Sequence, residues 1–251
     1  MAEERAHRLG YFSSHRRYDD LTVAVKRFPS HAPGPDFVLV HGIGVSSRYF
    51  HPTALELARF GTVWLVDLPG HGAAPDPRRE VTIDDHARAL NAFVRETTHP
   101  VLVGHSMGAQ VVASVAEQFP DATDHIVLMA PTMPPRYRSR GTAIALLAKN
   151  MTRERPSVFG ITSTDVVFRA GIPFTLRQLR HLVADRIEHR LPKIAAHTLV
   201  LVGERDPIVP IDWARECADL AHAELAVVGG AHVIMHSAPA EVAELIARHA
   251  A

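Results

Sequence analysis

A single cysteine, Cys217, occurs among 251 residues, so no internal disulfide can form, and a reducing, cytoplasmic setting is the default expectation. Charge of one sign is also lacking. Lys and Arg total 27 and Asp and Glu total 27, which leaves no whole-chain field to recruit nucleic acid or an anionic membrane. The first residues, "MAEERAHRLGYFSSHRRYDD", offer no basic start followed by an apolar core of the leader type, and the longest apolar runs are far too short for a membrane span. There is no internal repeat, heptad or low-complexity tract, which removes arrays and coiled coils. No G-x-G-x-x-G or P-loop lysine follows a strand, and no Cys/His cluster has zinc spacing. No nucleotide cofactor or catalytic metal is therefore expected.

What remains is a chain that is 47% hydrophobic and long enough for one sizeable domain with an insertion. Short apolar segments alternate with helical patterns: "FVLVHG" from Phe37, "TVWLVDL" from Thr62, "PVLVGH" from Pro100, "HIVLMAP" from His125, "HTLVLVGERD" from His197 and "AELAVVGG" from Ala223. That rhythm predicts an α/β fold, a mostly parallel sheet flanked by helices. "LTVAVKRF" from Leu21 reads as an antiparallel strand at the sheet edge. Between strands, Thr82 followed by Asp85 resembles a capping box ahead of the apolar stripe Ala89, Leu90 and Phe93.

The rhythm breaks from about Thr132 to Lys193, where only helix-like stretches occur, punctuated by proline. A helical insertion between parallel strands predicts a cap over residues 132–193, with residues 1–131 and 194–251 forming the core. The cap carries twelve Lys or Arg against four Asp or Glu, about +8, and the remainder is about −8. Solvated helix faces explain this most simply; attraction of an acidic substrate or partner is the alternative.

"PVLVGHSMGAQVV", residues 100 to 112, sets Ser106 between two glycines where the β-branched run ends and helical spacing (Met107, Val111, Val112, Val115) begins. G-x-S-x-G requires this strand-to-helix context, because the serine is strained and side chains at the glycine positions would clash. A serine hydroxyl is a weak nucleophile that needs a base, and the base needs an orienting group. His232, in the loop after the last predicted strand, is the best base, with His236 its competitor. Asp206 lies just past a buried strand, with Glu204 as the alternative in the same loop. Asp67 also ends a strand, but a structural role in the "DLPGHG" turn suits it better. With Asp206 the chain order is Ser, Asp, His.

Five ordered motifs, "HGIG" (41–44), "DLPGHG" (67–72), "GHSMG" (104–108), "GERDPIVP" (203–210) and "GAHVIMHSAP" (230–239), resemble the α/β-hydrolase superfamily from about Leu21 to the C-terminus. The resemblance implies Ser106 as nucleophile, Asp206 as acid, His232 as base, and the backbone N–H groups of Ile43 and Met107 as oxyanion hole. It assigns His41 to shaping the oxyanion loop and His105 to packing beside the elbow. Ala109, where many relatives have glycine, and Ser237, where an acid is common, bear on subfamily. The implied function is a serine hydrolase that cleaves a carboxylic ester, thioester or lactone through an acyl-enzyme, with a small-molecule acyl substrate. Carbon–carbon bond hydrolysis of the meta-cleavage type and a ligand receptor on a hydrolase scaffold are the alternatives. Oligomeric state is left open.

Overall fold

The computed structural model describes residues 5, 6 and 10–251. Among them nine strands form one sheet: β1 (Arg5–Ala6), β2 (Phe12–Tyr18), β3 (Leu21–Phe28), β4 (Asp36–Val40), β5 (Val63–Asp67), β6 (Pro100–His105), β7 (His125–Met129), β8 (His197–Gly203) and β9 (Glu224–Val228). Their spatial order is β1, β2, β3, β5, β4, β6, β7, β8, β9. Pairings from β5 across to β9 are parallel, and β1 to β3 add an antiparallel flank.

Strands β4 to β8 are apolar almost throughout because both faces of the sheet are covered there. Val101 and Val103 point into one core with Phe37, Leu39, Val127 and Leu201; Leu102 points into the other with Val38, Val40, Leu128 and Val200. Helix α1 (His51–Leu57) covers the first face, and α2 (Ile83–Val94) and α3 (Met107–Gln118) the second. The capping box expected at α2 is present: Thr82 Oγ1 accepts from Asp85 N at 3.1 Å, and the Asp85 carboxylate accepts from Thr82 N at 2.9 Å. Between β7 and β8 lie α4 (Arg140–Met151), α5 (Pro156–Thr164), a π-helical turn (Asp165–Ala170), α6 (Ile172–Ala184) and α7 (Ile187–Arg190). Helices α8 (Ile211–Leu220), α9 (Ile234–Ser237) and α10 (Pro239–His249) complete the layers.

Two details differ from the sequence reading. Leu21–Phe28 is no edge strand, since β2 pairs on one side of it and β5 on the other. "FSSHRRY" is polar, so β2 gives little hydrophobic signal; its pairing with β3 through a tight turn supplies the order. The stretch "SVFGITSTDVVFR" is not one regular helix either, because it passes into the π-helical turn at Asp165.

Strand β4 is the topological switch. Its successor β5 pairs on one side and β6 on the other, so a crevice opens beyond the carboxyl ends of β4 and β6. The loop from His41 and the turn at Ser106 meet there.

Candidate active site

Ser106 follows β6 directly and caps α3 with φ 55° and ψ −116°, a strained conformation for a residue with a side chain. Close packing enforces it. A Cβ on Gly104 would fall 2.3 Å from the Gly108 carbonyl oxygen, and one on Gly108 would fall 2.3 Å from that of Val40. Only glycine lets strand, turn and helix approach this closely.

Asp206 and His232 come from the loops after β8 and β9 and are both buried. The Asp206 carboxylate accepts from the N–H groups of Ile208 (2.8 Å) and Val209 (3.0 Å) through Oδ1, and Oδ2 lies 2.7 Å from His232 Nδ1. Burial disfavours the imidazolium, but the charge and hydrogen bond of Asp206, with a further contribution from Glu154, outweigh it and raise the His232 pKa above 6.5. A neutral ring donating from Nδ1 keeps its lone pair on Nε2, where a base needs it.

Ser106 and His232 line the same cavity, of about 430 Å³. Its hydroxyl has no hydrogen bond to His232 here; such contacts commonly tighten in the substrate complex. The competitors lie elsewhere. His236 Nε2 is 3.2 Å from Ser157 Oγ, and Glu204 is exposed. Asp67 is buried in a structural knot, accepting from Ser47 N (2.7 Å) and Ala73 N (3.0 Å) and pairing with Lys26 at 3.0 Å.

The backbone N–H groups of Ile43 and Met107 have no hydrogen-bond acceptor among the described residues. Met107 is the first residue of α3, where the helix leaves its amide groups unpaired and its dipole positive. Gly42, which precedes Ile43, is held at both its carbonyl and its N–H. Leu68 N–H donates to His41 Nε2 at 3.0 Å, so His41 Nδ1–H donates to the Gly42 carbonyl at 2.7 Å. Gly42 N–H donates to Tyr49 Oη at 2.7 Å, and that hydroxyl lies 2.8 Å from His105 Nδ1. His105 Nε2–H in turn donates to the His232 carbonyl at 3.1 Å. Burial holds His41 and His105 below the ordinary histidine pKa, with the charge of His232 adding to the effect on His105, so the chain stays neutral and its donor directions stay fixed. His105 is thus more than packing: it ties the loop at Gly42, the Ser106 turn and the His232 loop together.

Three residues in this neighbourhood escape sequence reasoning. Tyr49 joins the chain just described, Asn150 Oδ1 accepts from His232 N at 3.4 Å, and Glu154 accepts from Val233 N at 2.9 Å. No local periodicity marks them, because each acts on a loop distant in sequence. Besides Ser106, His105 and His232, the cavity is lined by Ile43, Val45, Tyr49, Ile144, Leu147, Met151, Val166, Val167 and Val233 among others, and no Lys, Arg, Asp or Glu among the described residues lines it. A larger cleft, about 570 Å³, lies at the opposite end of the sheet beside His125, His197 and His249, far from the Ser106 turn. Among the described residues no cluster of His, Cys, Asp or Glu suits a metal ion.

A parallel sheet with a serine on a tight strand-to-helix turn and a buried Asp–His pair beside it defines a hydrolase of the α/β class. Residues 37–245 match the model of the alpha/beta hydrolase family, and the chain belongs to that family. It is an enzyme family, and the relatives include esterases. A pimeloyl-[acyl-carrier protein] methyl ester esterase of Aeromonas hydrophila is 29% identical over 208 residues, covering 78% of this chain and 79% of that protein. A protein of Mycobacterium tuberculosis is 33% identical over 99 residues, 39% of this chain but only 29% of its own length. Among solved structures, a hydrolase from Pseudomonas aeruginosa PA01 superposes with a TM-score of 0.80 over 94% of this chain and 97% of that one, at 17% identity, a likeness of fold.

Proposed function

We propose that this enzyme hydrolyses a carboxylic ester, thioester or lactone with an uncharged, apolar acyl group through an acyl-enzyme on Ser106. The observation that carries the reading is the buried Asp206–His232 pair at 2.7 Å, sharing an apolar cavity with Ser106 on its strained turn. His232 Nε2 takes the Ser106 proton as Oγ bonds to the carbonyl carbon. The oxygen becomes an oxyanion facing the Ile43 and Met107 N–H groups, and the imidazolium, oriented by Asp206, returns the proton to the departing alkoxide or thiolate as its bond to carbon breaks. Water repeats the sequence and releases the acid. Residues 132–193 act as a cap, supplying Ile144, Leu147, Met151, Val166 and Val167 to the pocket.

The esterase activity in the Aeromonas relative's name supports ester cleavage. The lining speaks against the carbon–carbon bond reading, whose acidic substrates would need a cation: no Lys or Arg among the described residues lines the cavity. A receptor without turnover would leave the unpaired Ile43 and Met107 N–H groups without a purpose.

The test is a series of p-nitrophenyl esters from acetyl to decanoyl together with a fluorophosphonate probe. Wild-type protein turns over the neutral esters and is labelled; Ser106→Ala loses the label and about 10⁴-fold or more of kcat, since nucleophile and base act as a unit. Labelling that persists in Ser106→Ala, or wild-type protein inert to every ester and to the probe, overturns the proposal.

A further inference from the structure

The strongest charge asymmetry in the chain takes no part in that chemistry. None of the four acids within residues 132–193 is exposed: Asp165 is buried, and Glu154, Asp185 and Glu188 are half-buried against Val233 N, Arg190 and Arg138. Every exposed Lys, Arg, Asp or Glu of the segment is therefore cationic. Arg136 and Arg180 are matched by Asp212 and Glu80 of the core. Arg140, Lys149 and Arg155 have no carboxylate in ion-pair range among the described residues.

The same segment exposes apolar side chains. Among the described residues, six of the eight large exposed hydrophobic residues lie in it: Phe168 is 82% exposed, and Ile144, Phe159, Val167, Ile172 and Leu176 are each about half exposed. Scattered residues of this kind need no explanation, whereas a concentration in one short segment does. Arg140 precedes Ile144 by four positions in α4, and Arg155, at the start of α5, precedes Phe159 by four; Phe168 stands in the π-helical turn before the break at Gly171, and Ile172 and Leu176 lie four apart in α6 after it. Ile144 and Val167 also line the cavity, which brings the apolar surface to its mouth.

We propose that the exposed surface of this segment docks on an anionic lipid surface. Phe168 and its neighbours enter the acyl boundary while Arg140, Lys149 and Arg155 meet the head groups, the pairing of apolar and basic faces that holds interfacial helices on membranes. A lipid phase accepts protruding side chains without a complementary pocket, and an acyl chain passing from it along the cavity lining to Ser106 would meet no charged side chain, a step that rests on the triad reading. The docking itself does not.

Co-sedimentation of the full chain with phosphatidylcholine vesicles, with and without phosphatidylglycerol, tests it; Ser106→Ala protein gives the same binding, so the result is independent of turnover. Partitioning is expected into the anionic vesicles at low salt, about tenfold or more above neutral vesicles, and is lost near 0.5 M salt on the order of the screening limit. Phe168→Asp lowers it about tenfold or more while leaving turnover of a soluble short-chain ester unchanged, which shows the variant to be folded. Replacing Arg140, Lys149 and Arg155 together by alanine reduces anionic binding to the neutral-vesicle level. Absence of partitioning, equal partitioning into both vesicle types, or no effect of Phe168→Asp overturns the proposal. So does self-association abolished by Phe168→Asp, or binding to a purified acidic carrier protein in place of vesicles.

Discussion

His232 illustrates how opposed effects set a single group. Removal from water favours the neutral ring, yet the Asp206 carboxylate and the more distant Glu154 raise its pKa above 6.5 overall. A base works only when neutral, so on the proposed mechanism kcat/KM falls on the acid side through the pKa of the free enzyme's base, above that of an unperturbed histidine. Glu154→Gln separates charge from structure: the amide oxygen can still accept from Val233 N, but the negative charge is gone. The acid limb of the kcat/KM profile should move to lower pH with the plateau retained, as a pH–rate titration of both proteins would read. A limb that stays in place or moves upward would remove Glu154 from the electrostatics of the base. Ser106, Asp206 and His232 are legible in sequence because each stands in a short motif at a strand end. Tyr49, Asn150 and Glu154 are not, because hydrogen bonds to Gly42, His232 and Val233 exist only once remote loops have met.

At the level of elements, the π-helical turn Asp165–Ala170 fastens the helical segment to the loop after β4 at Ser46. The fully buried Asp165 accepts from Ser46 N (2.9 Å) and Ser46 Oγ (2.6 Å) through Oδ2, while Oδ1 faces Arg48 at 2.8 Å and Arg169 at 3.4 Å. Extra residues in a helical turn often mark such a site, since they re-aim one side chain at the expense of regular hydrogen bonding. Asp165→Ala leaves Ser46 without its acceptor and Arg48 and Arg169 without their counter-charge, and should cost about 1–3 kcal/mol, an interval set by the partial exposure of both arginines. The loss should fall on the segment rather than the sheet. Faster protease cleavage between about residues 150 and 172, and a KM increase larger than the fall in kcat for a decanoyl ester, are expected; a uniform drop in unfolding midpoint with unchanged KM would argue against a latch. Sequence could not supply this contact. The strands β4 to β8 announce themselves by β-branched runs buried on both faces, whereas nothing in "TSTDVVFR" marks a change to π-helical spacing, and the partners Ser46 and Arg48 of its Asp165 lie more than a hundred residues earlier.

The whole molecule divides its charge and its chemistry differently. Residues 132–193 hold a surplus of about eight positive charges and the rest an equal negative surplus, yet the cavity between them is lined by neither sign. Several of the insertion's cations are spent on structure: Arg190 meets Asp84, Glu117 and Asp185, Arg138 meets Glu188, and Lys193 meets Glu117. Fields from exposed charges are screened within about 10 Å at 0.1 M salt, and they act on encounter rates of charged ligands more than on bound neutral ones. A neutral soluble ester therefore feels little of this asymmetry on its way to Ser106, and nothing charged in the lining awaits it. Its kcat/KM should change by less than about twofold between roughly 0.01 and 0.3 M ionic strength, measured with an inert salt at fixed pH. A steep fall would mean that a cation contributes to the transition state, which would require the segment to bring an arginine such as Arg155 into the cavity during turnover and would restore acidic substrates to the specificity of the site.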